Sequence, residues 1–143
     1  MTAALGNTID LMDQTRQGPL IVQAGESLNV SGQLVDFAGD PILKAGLVAF
    51  LVTLFDEATE TVINGVDQQD RLAQVAADGS FTLKLNGEDN VIVDLAGVGS
   101  GQIEKHGLAM YWLWNDGSQD RSGIQLVRFR VQRLGVQVSL GIP

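Results

Sequence analysis

Two stretches of this sequence are apolar on both of the faces a β-strand presents, and that constrains the fold more than any motif does. In residues 47–55, Leu47, Ala49, Leu51 and Phe55 fall on one face and Val48, Phe50, Val52 and Leu54 on the other. In residues 108–114, Leu108, Met110, Trp112 and Trp114 alternate with Ala109, Tyr111 and Leu113. A helix would carry polar residues every three or four positions, whereas Thr53 is the only polar residue of 47–55, so both stretches read as strands that must be covered twice. Each sheet of a two-layer sandwich has one inner face, so the outer side of such strands is left to loops, an arm or another subunit. The sequence thus predicts a homo-oligomer or an obligate part of a larger assembly.

The rest of the chain supplies partners for these strands. From Pro19 onward, short apolar or alternating runs are separated by Gly, Asp and Asn, the pattern of successive strands. In residues 28–36, Leu28, Val30, Gly32 and Leu34 alternate with Asn29, Ser31 and Gln33, a half-buried strand closed by the turn residues Gly39 and Pro41. Further strands are expected at 19–24, 59–63 and 91–93, and a last edge strand at 136–140, while 64–70 reads as a loop and 97–101 as a glycine-rich connector. Asp78-Gly79 predicts a hairpin joining 72–76 to 81–85. Asn115-Asp116-Gly117 opens a longer hairpin between 108–114 and 124–134 with a flexible tip at 118–123; on its returning strand Val127, Phe129 and Val131 point inward and Arg128, Arg130 and Gln132 outward. The expected fold is all-β: an antiparallel Ig-like β-sandwich of about eight strands, with a closed barrel as the alternative. Residues 1–18 are expected to form an extended N-terminal arm and 19–143 the sandwich domain.

Composition narrows the function. A chain of 143 residues with 45% hydrophobic and 18% charged side chains has the makings of one packed domain. It lacks a run long enough to span a bilayer, and residues 1–13 lack the features of a secretory leader. With no cysteine, stability must come from packing, hydrogen bonds and association. The formal charge of −8 argues against nucleic acid as a partner. That charge is uneven: residues 1–103 carry fourteen acidic and four basic side chains, residues 104–143 three acidic and five basic. Arg121, Arg128, Arg130 and Arg133 form a basic ribbon suited to an acidic surface, such as that of a neighbouring copy.

Constellations that carry chemistry are sparse. Glu104 and His106 share a strand face and are within reach of a hydrogen bond, but Ser80, Ser118 and Ser122 all lie outside a Gly-x-Ser-x-Gly elbow, so no catalytic residue is assigned. Asp67, Asp70, Asp78, Glu88, Asp89 and Asp94 lack the spacing of a calcium-binding loop and read as turn residues, leaving no metal site assigned. Gly97, Gly99 and Gly101 lack the Lys-Ser/Thr of a phosphate-binding loop, and no cofactor is expected. Tyr111, Trp112 and Trp114 read as core, with a sugar-stacking platform as the alternative.

The turn grammar Gly25-Glu26-Ser27-Leu28, Gly32-x-Leu34-x-Asp36, Gly39-x-Pro41, Asp78-Gly79-Ser80-Phe81 and Asp116-Gly117 resembles that of Ig-like β-sandwich domains in virion proteins of tailed bacteriophages, across residues 19–134. The resemblance implies a non-enzymatic structural or assembly protein of the tail, neck, baseplate or capsid surface. Its partners would be copies of itself and other virion proteins, with no nucleic acid, membrane or small-molecule substrate. It would be assembled in bacterial cytoplasm into the virion, its contacts made by Arg128, Arg130, Arg133, Tyr111, Trp112 and Trp114 together with the arm. The alternative is a carbohydrate- or cell-surface-binding β-sandwich module.

Overall fold

A computed structural model describes residues 7–12, 20–99 and 101–133. Among the described residues eight strands lie in two sheets: β1 (Asn7–Asp10), β2 (Ile21–Gln23), β3 (Leu28–Gln33), β4 (Leu47–Asp56), β5 (Gln69–Asp70), β6 (Ser80–Leu85), β7 (Ile103–Asn115) and β8 (Asp120–Gln132). The smaller sheet has the order β1-β3-β6 and the larger β2-β8-β7-β4-β5. The expected all-β sandwich is the architecture found. No helix among the described residues is long and apolar enough to cross a membrane.

Alternation of side chains explains how the layers close. Leu28 and Val30 of β3 and Phe81, Leu83 and Leu85 of β6 are buried on one side, and meet Phe50, Val52 and Leu54 of β4, Leu108 and Met110 of β7 and Phe129 and Val131 of β8 from the other. The rings of Phe50 and Phe81 touch across the layers at 5.2 Å between centroids. Each fully buried large apolar side chain contributes roughly 1.5–3 kcal/mol relative to exposure, so this shared interior dominates the stability of a chain without cross-links.

Pairing departs from the purely antiparallel expectation at two places. β1 runs parallel to β3 and β2 parallel to β8. The cause is topological: β1 and β3 belong to the smaller sheet and β2, between them in sequence, to the larger, so the chain crosses the sandwich twice before returning beside its first strand in the same direction. β1 falls within the expected arm and is built into the smaller sheet by its pairing with residues 28–31.

Several local expectations are also revised. Asp78-Gly79 does form a turn, with Gly79 at φ +87°, but one bridge, Val75 to Phe81, is all that joins its two sides. Leu72–Gln74 is a 3-10 turn, and β6 spends its full length on β3 instead. Residues 59–63 contribute a single bridge, Phe55 to Val62, and 91–93 no strand, while Gln69–Asp70 in the expected loop pairs with β4. The expected strand 136–140 lies outside the described residues.

The long hairpin is realised and is longer than expected. β7 and β8 stay in register from Ile103 opposite Gln132 to Asn115 opposite Asp120, so the tip is the tight turn 116–119 rather than an open loop at 118–123. The Asp116 carboxylate ties it, accepting from the Gln119 and Ser118 amides, the Ser118 hydroxyl and Arg121 Nε, each at 2.9 Å. These donors, led by the Gln119 amide and the Arg121 guanidinium, hold Asp116 well below the usual carboxylate range.

Candidate interaction surface

The outer face of the larger sheet is built by strand parity. On β7 the even-numbered residues from Glu104 to Trp114 turn inward and the odd-numbered ones outward; β4 follows the same rule from Ala49 onward, past an irregularity in register at Leu47, and β8 the opposite one. Register then aligns outward residues in rows across three strands. Leu51, Tyr111 and Ile124 form one row, Thr53, Ala109 and Leu126 the next, and Phe55, Gly107 and Arg128 a third. Eight of these nine positions are uncharged. Ile124 is 72% exposed, Leu126 and Tyr111 are also exposed, and Leu51, Thr53, Phe55 and Ala109 are half-buried. Between them lies a shallow depression of about 300 Å³, lined by Leu51, Thr53, Gln68, Ala109, Tyr111 and Ile124.

Positive charge gathers at one end of this face, while Asp120 lies at the far end of β8 and Asp70 beside Leu51 on β5. Arg128 Nε donates to Glu57 Oε1 at 2.9 Å, and the next cross-strand pair is Lys105 with Arg130. Two like charges directly opposite one another are unfavourable within a sheet, so this end of the face presents a positive edge that an anionic partner would relieve.

The six residues expected to make contacts divide three ways. Tyr111, Arg128 and Arg130 lie on the outer face. Trp112 and Trp114 are on the inner side: Trp114 is 5% exposed and meets the edge of Phe37 at 5.4 Å, and the Trp112 indole lies over Gly123. Tyr111 therefore shares no platform with either tryptophan, because neighbours on a strand face opposite ways. Arg133 serves its own chain, donating from Nη1 to the carbonyls of Leu95 at 2.8 Å and Val98 at 2.6 Å. Leu51 and Phe55 belong to the doubly apolar stretch 47–55 already marked by the sequence, whereas Ile124 and Leu126 do not; their signal is the parity of β8 continued beyond the arginines.

The other polar candidates have local tasks. Asp78 binds Ser80, Asp70 the Leu72 amide, Asp94 the Gly97 amide, and buried Asp89 the Asn86 amide and Asn64. The amides of Gly97 and Gly99 are taken by Asp94 and Gln102, which leaves them unavailable as a phosphate cradle. Glu104 and His106 do form the hydrogen bond their spacing allows, at 2.6 Å, and no serine hydroxyl joins the imidazole among the described residues.

No protein-family model matches the sequence, and no curated protein matches it. Among solved structures the fold is similar to the N-terminal domain of phage TP901-1 ORF48, with 13% sequence identity, a TM-score of 0.36, and coverage of 89% of this chain and 94% of that one. A likeness so loose carries no argument about function.

Proposed function

We propose that this protein is a structural component of a tailed bacteriophage or phage-like particle, acting through protein packing in an oligomeric assembly and not through catalysis. The observation that carries the packing role is the apolar outer face of the larger sheet, whose centre, Tyr111, Ile124 and Leu126, is exposed in the single chain. Contiguous apolar surface of this kind marks an interaction site when polar residues rim it, and here Gln68, Arg128 and Lys105 do so. The virion setting is supported by the turn grammar of residues 19–134.

The occupant we favour is a second copy of this chain. The positive edge at Lys105 and Arg130 meets its complement in the same molecule, whose residues 1–103 carry most of its acidic side chains. Partners would then be copies of this chain and other virion proteins, with no nucleic acid, membrane or small-molecule substrate involved. Sedimentation over a concentration series tests the reading: self-association is expected at micromolar concentration, weakened by added salt and by Arg130→Glu. A strict monomer at high micromolar concentration would overturn it.

A further inference from the structure

The interior holds a cluster the packing role does not use. Asp56 closes β4, directly opposite His106 on β7, and Glu104 lies two residues before it on the same face. All three are buried, with 1%, 0% and 6% exposure for Asp56, His106 and Glu104. One donor atom from each lies within 4.8 Å of the other two.

The hydrogen bonds leave unused capacity here. Glu104 accepts from His106 Nε2 at 2.6 Å, the Val93 amide at 2.7 Å and the Asp94 amide at 2.9 Å. Asp56 Oδ2 accepts from the Thr59 amide and hydroxyl. Asp56 Oδ1 and His106 Nδ1, both buried, have no partner among the described residues. Buried polar atoms in native proteins almost always have one, and no lysine or arginine pairs with either carboxylate among the described residues.

We propose that Asp56, Glu104 and His106 bind a divalent cation of the zinc class. Imidazole with carboxylate oxygen is a donor set for zinc and its neighbours rather than for calcium. Donors about 2.0–2.2 Å from one ion lie at most about 4.4 Å apart, and those of the three side chains already lie within 4.8 Å of one another. The ion takes the place of the proton between His106 Nε2 and Glu104 Oε1, whose 2.6 Å contact opens to roughly 3.3 Å when both lie on one tetrahedral ion. A cavity of about 450 Å³, lined by Asp56, Thr59, Asp94, Glu104 and Lys105 among others, reaches the two carboxylates of the cluster but not His106, which is fully buried. Bound there, the cation ties the end of β4 to the start of β7 and, through Glu104, to the loop at Val93 and Asp94, a staple in a chain without cysteine.

The competing account is a protonated imidazole that satisfies the carboxylates alone, and zinc titration separates the two. The full chain, stripped with chelator, is expected to bind zinc at one per chain by calorimetry and to melt at a higher temperature with it. Cobalt in place of zinc should give the intense visible bands of a low-coordinate nitrogen and oxygen site. Asp56→Asn, close to isosteric, and His106→Gln should each weaken zinc binding at least about tenfold, while Glu88→Gln leaves it unchanged. Should His106→Gln not fold, Asp56→Asn and the cobalt spectrum of the unsubstituted chain decide. Absence of saturable zinc binding, equal affinity in Asp56→Asn, or a cobalt spectrum like that of the free aqueous ion would overturn the proposal.

Discussion

The ring of Phe55 lies across Gly107 on the neighbouring strand, so closely that a Cβ at position 107 would sit 2.6 Å from Phe55 Cζ and 3.2 Å from Leu126 Cδ1. The glycine is a socket that lets an aromatic ring lie flat on the outer face and link β4 to β8 over β7. Gly107→Ala should therefore force the ring outward and cost about 1–3 kcal/mol, the usual range for overpacking. Urea denaturation measures this; an unchanged midpoint would mean the ring moves freely.

The same face makes a separate prediction about association. Ile124 is mostly exposed in the single chain, so Ile124→Lys should alter monomer stability by no more than about 0.5 kcal/mol. It should nevertheless abolish self-association in sedimentation. Association that survives the substitution would move the contact surface elsewhere.

Asp116 makes the hairpin tip sensitive to acid. Its folded pKa is lowered from the ordinary 3.8, so its contribution to stability is fully present above that value and disappears as pH falls through the lower folded one. Asp116→Asn is expected to lower the melting temperature at pH 7, and the difference from the unsubstituted protein should shrink once the pH drops below about 4. A difference independent of pH would show that hydrogen-bond geometry, and not charge, holds the turn.

Arg133 reaches the carbonyls of Leu95 and Val98 from the end of β8, and its own backbone pairs with Gly101 and Gln102. Two charge-assisted bonds of this kind are worth about 1.5–3 kcal/mol each when formed, so Arg133→Ala should speed amide exchange at Gly97 and Val98 by about tenfold or more. Protection at the centre of β7 and β8 should be unaffected. Uniform acceleration would point instead to loss of global stability.

Parity made much of this molecule legible in advance. The alternation in 28–34, in 81–85 and in 127–131 places Leu28, Val30, Phe81, Leu83, Leu85, Val127, Phe129 and Val131 inside, where the structure has them, and the two-residue spacing of Glu104 and His106 anticipated their bond. The same rule separates Tyr111 from Trp112, so a shared contact surface for those residues was excluded by the pattern that identified the strand. Turn chemistry is less informative: Asp78-Gly79 fixes a reversal, yet a reversal does not dictate the pairing partner of the strand that leaves it, and β6 pairs along its full length with β3.

The sequence by itself determined the local and periodic features: the long strands and their inward faces, the turn glycines, the absence of cross-links, and two strands with apolar residues on both sides. Only the tertiary structure decided the parallel entry of β1 and β2, the rows that align Leu51, Tyr111 and Ile124, the retention of Arg133 by its own loop, and the meeting of Asp56 with Glu104 and His106. The reason is physical: side-chain alternation follows from the bond geometry of each residue and its neighbours, whereas register and sheet order come from closing long loops against competing partners, a choice made by the whole folded chain.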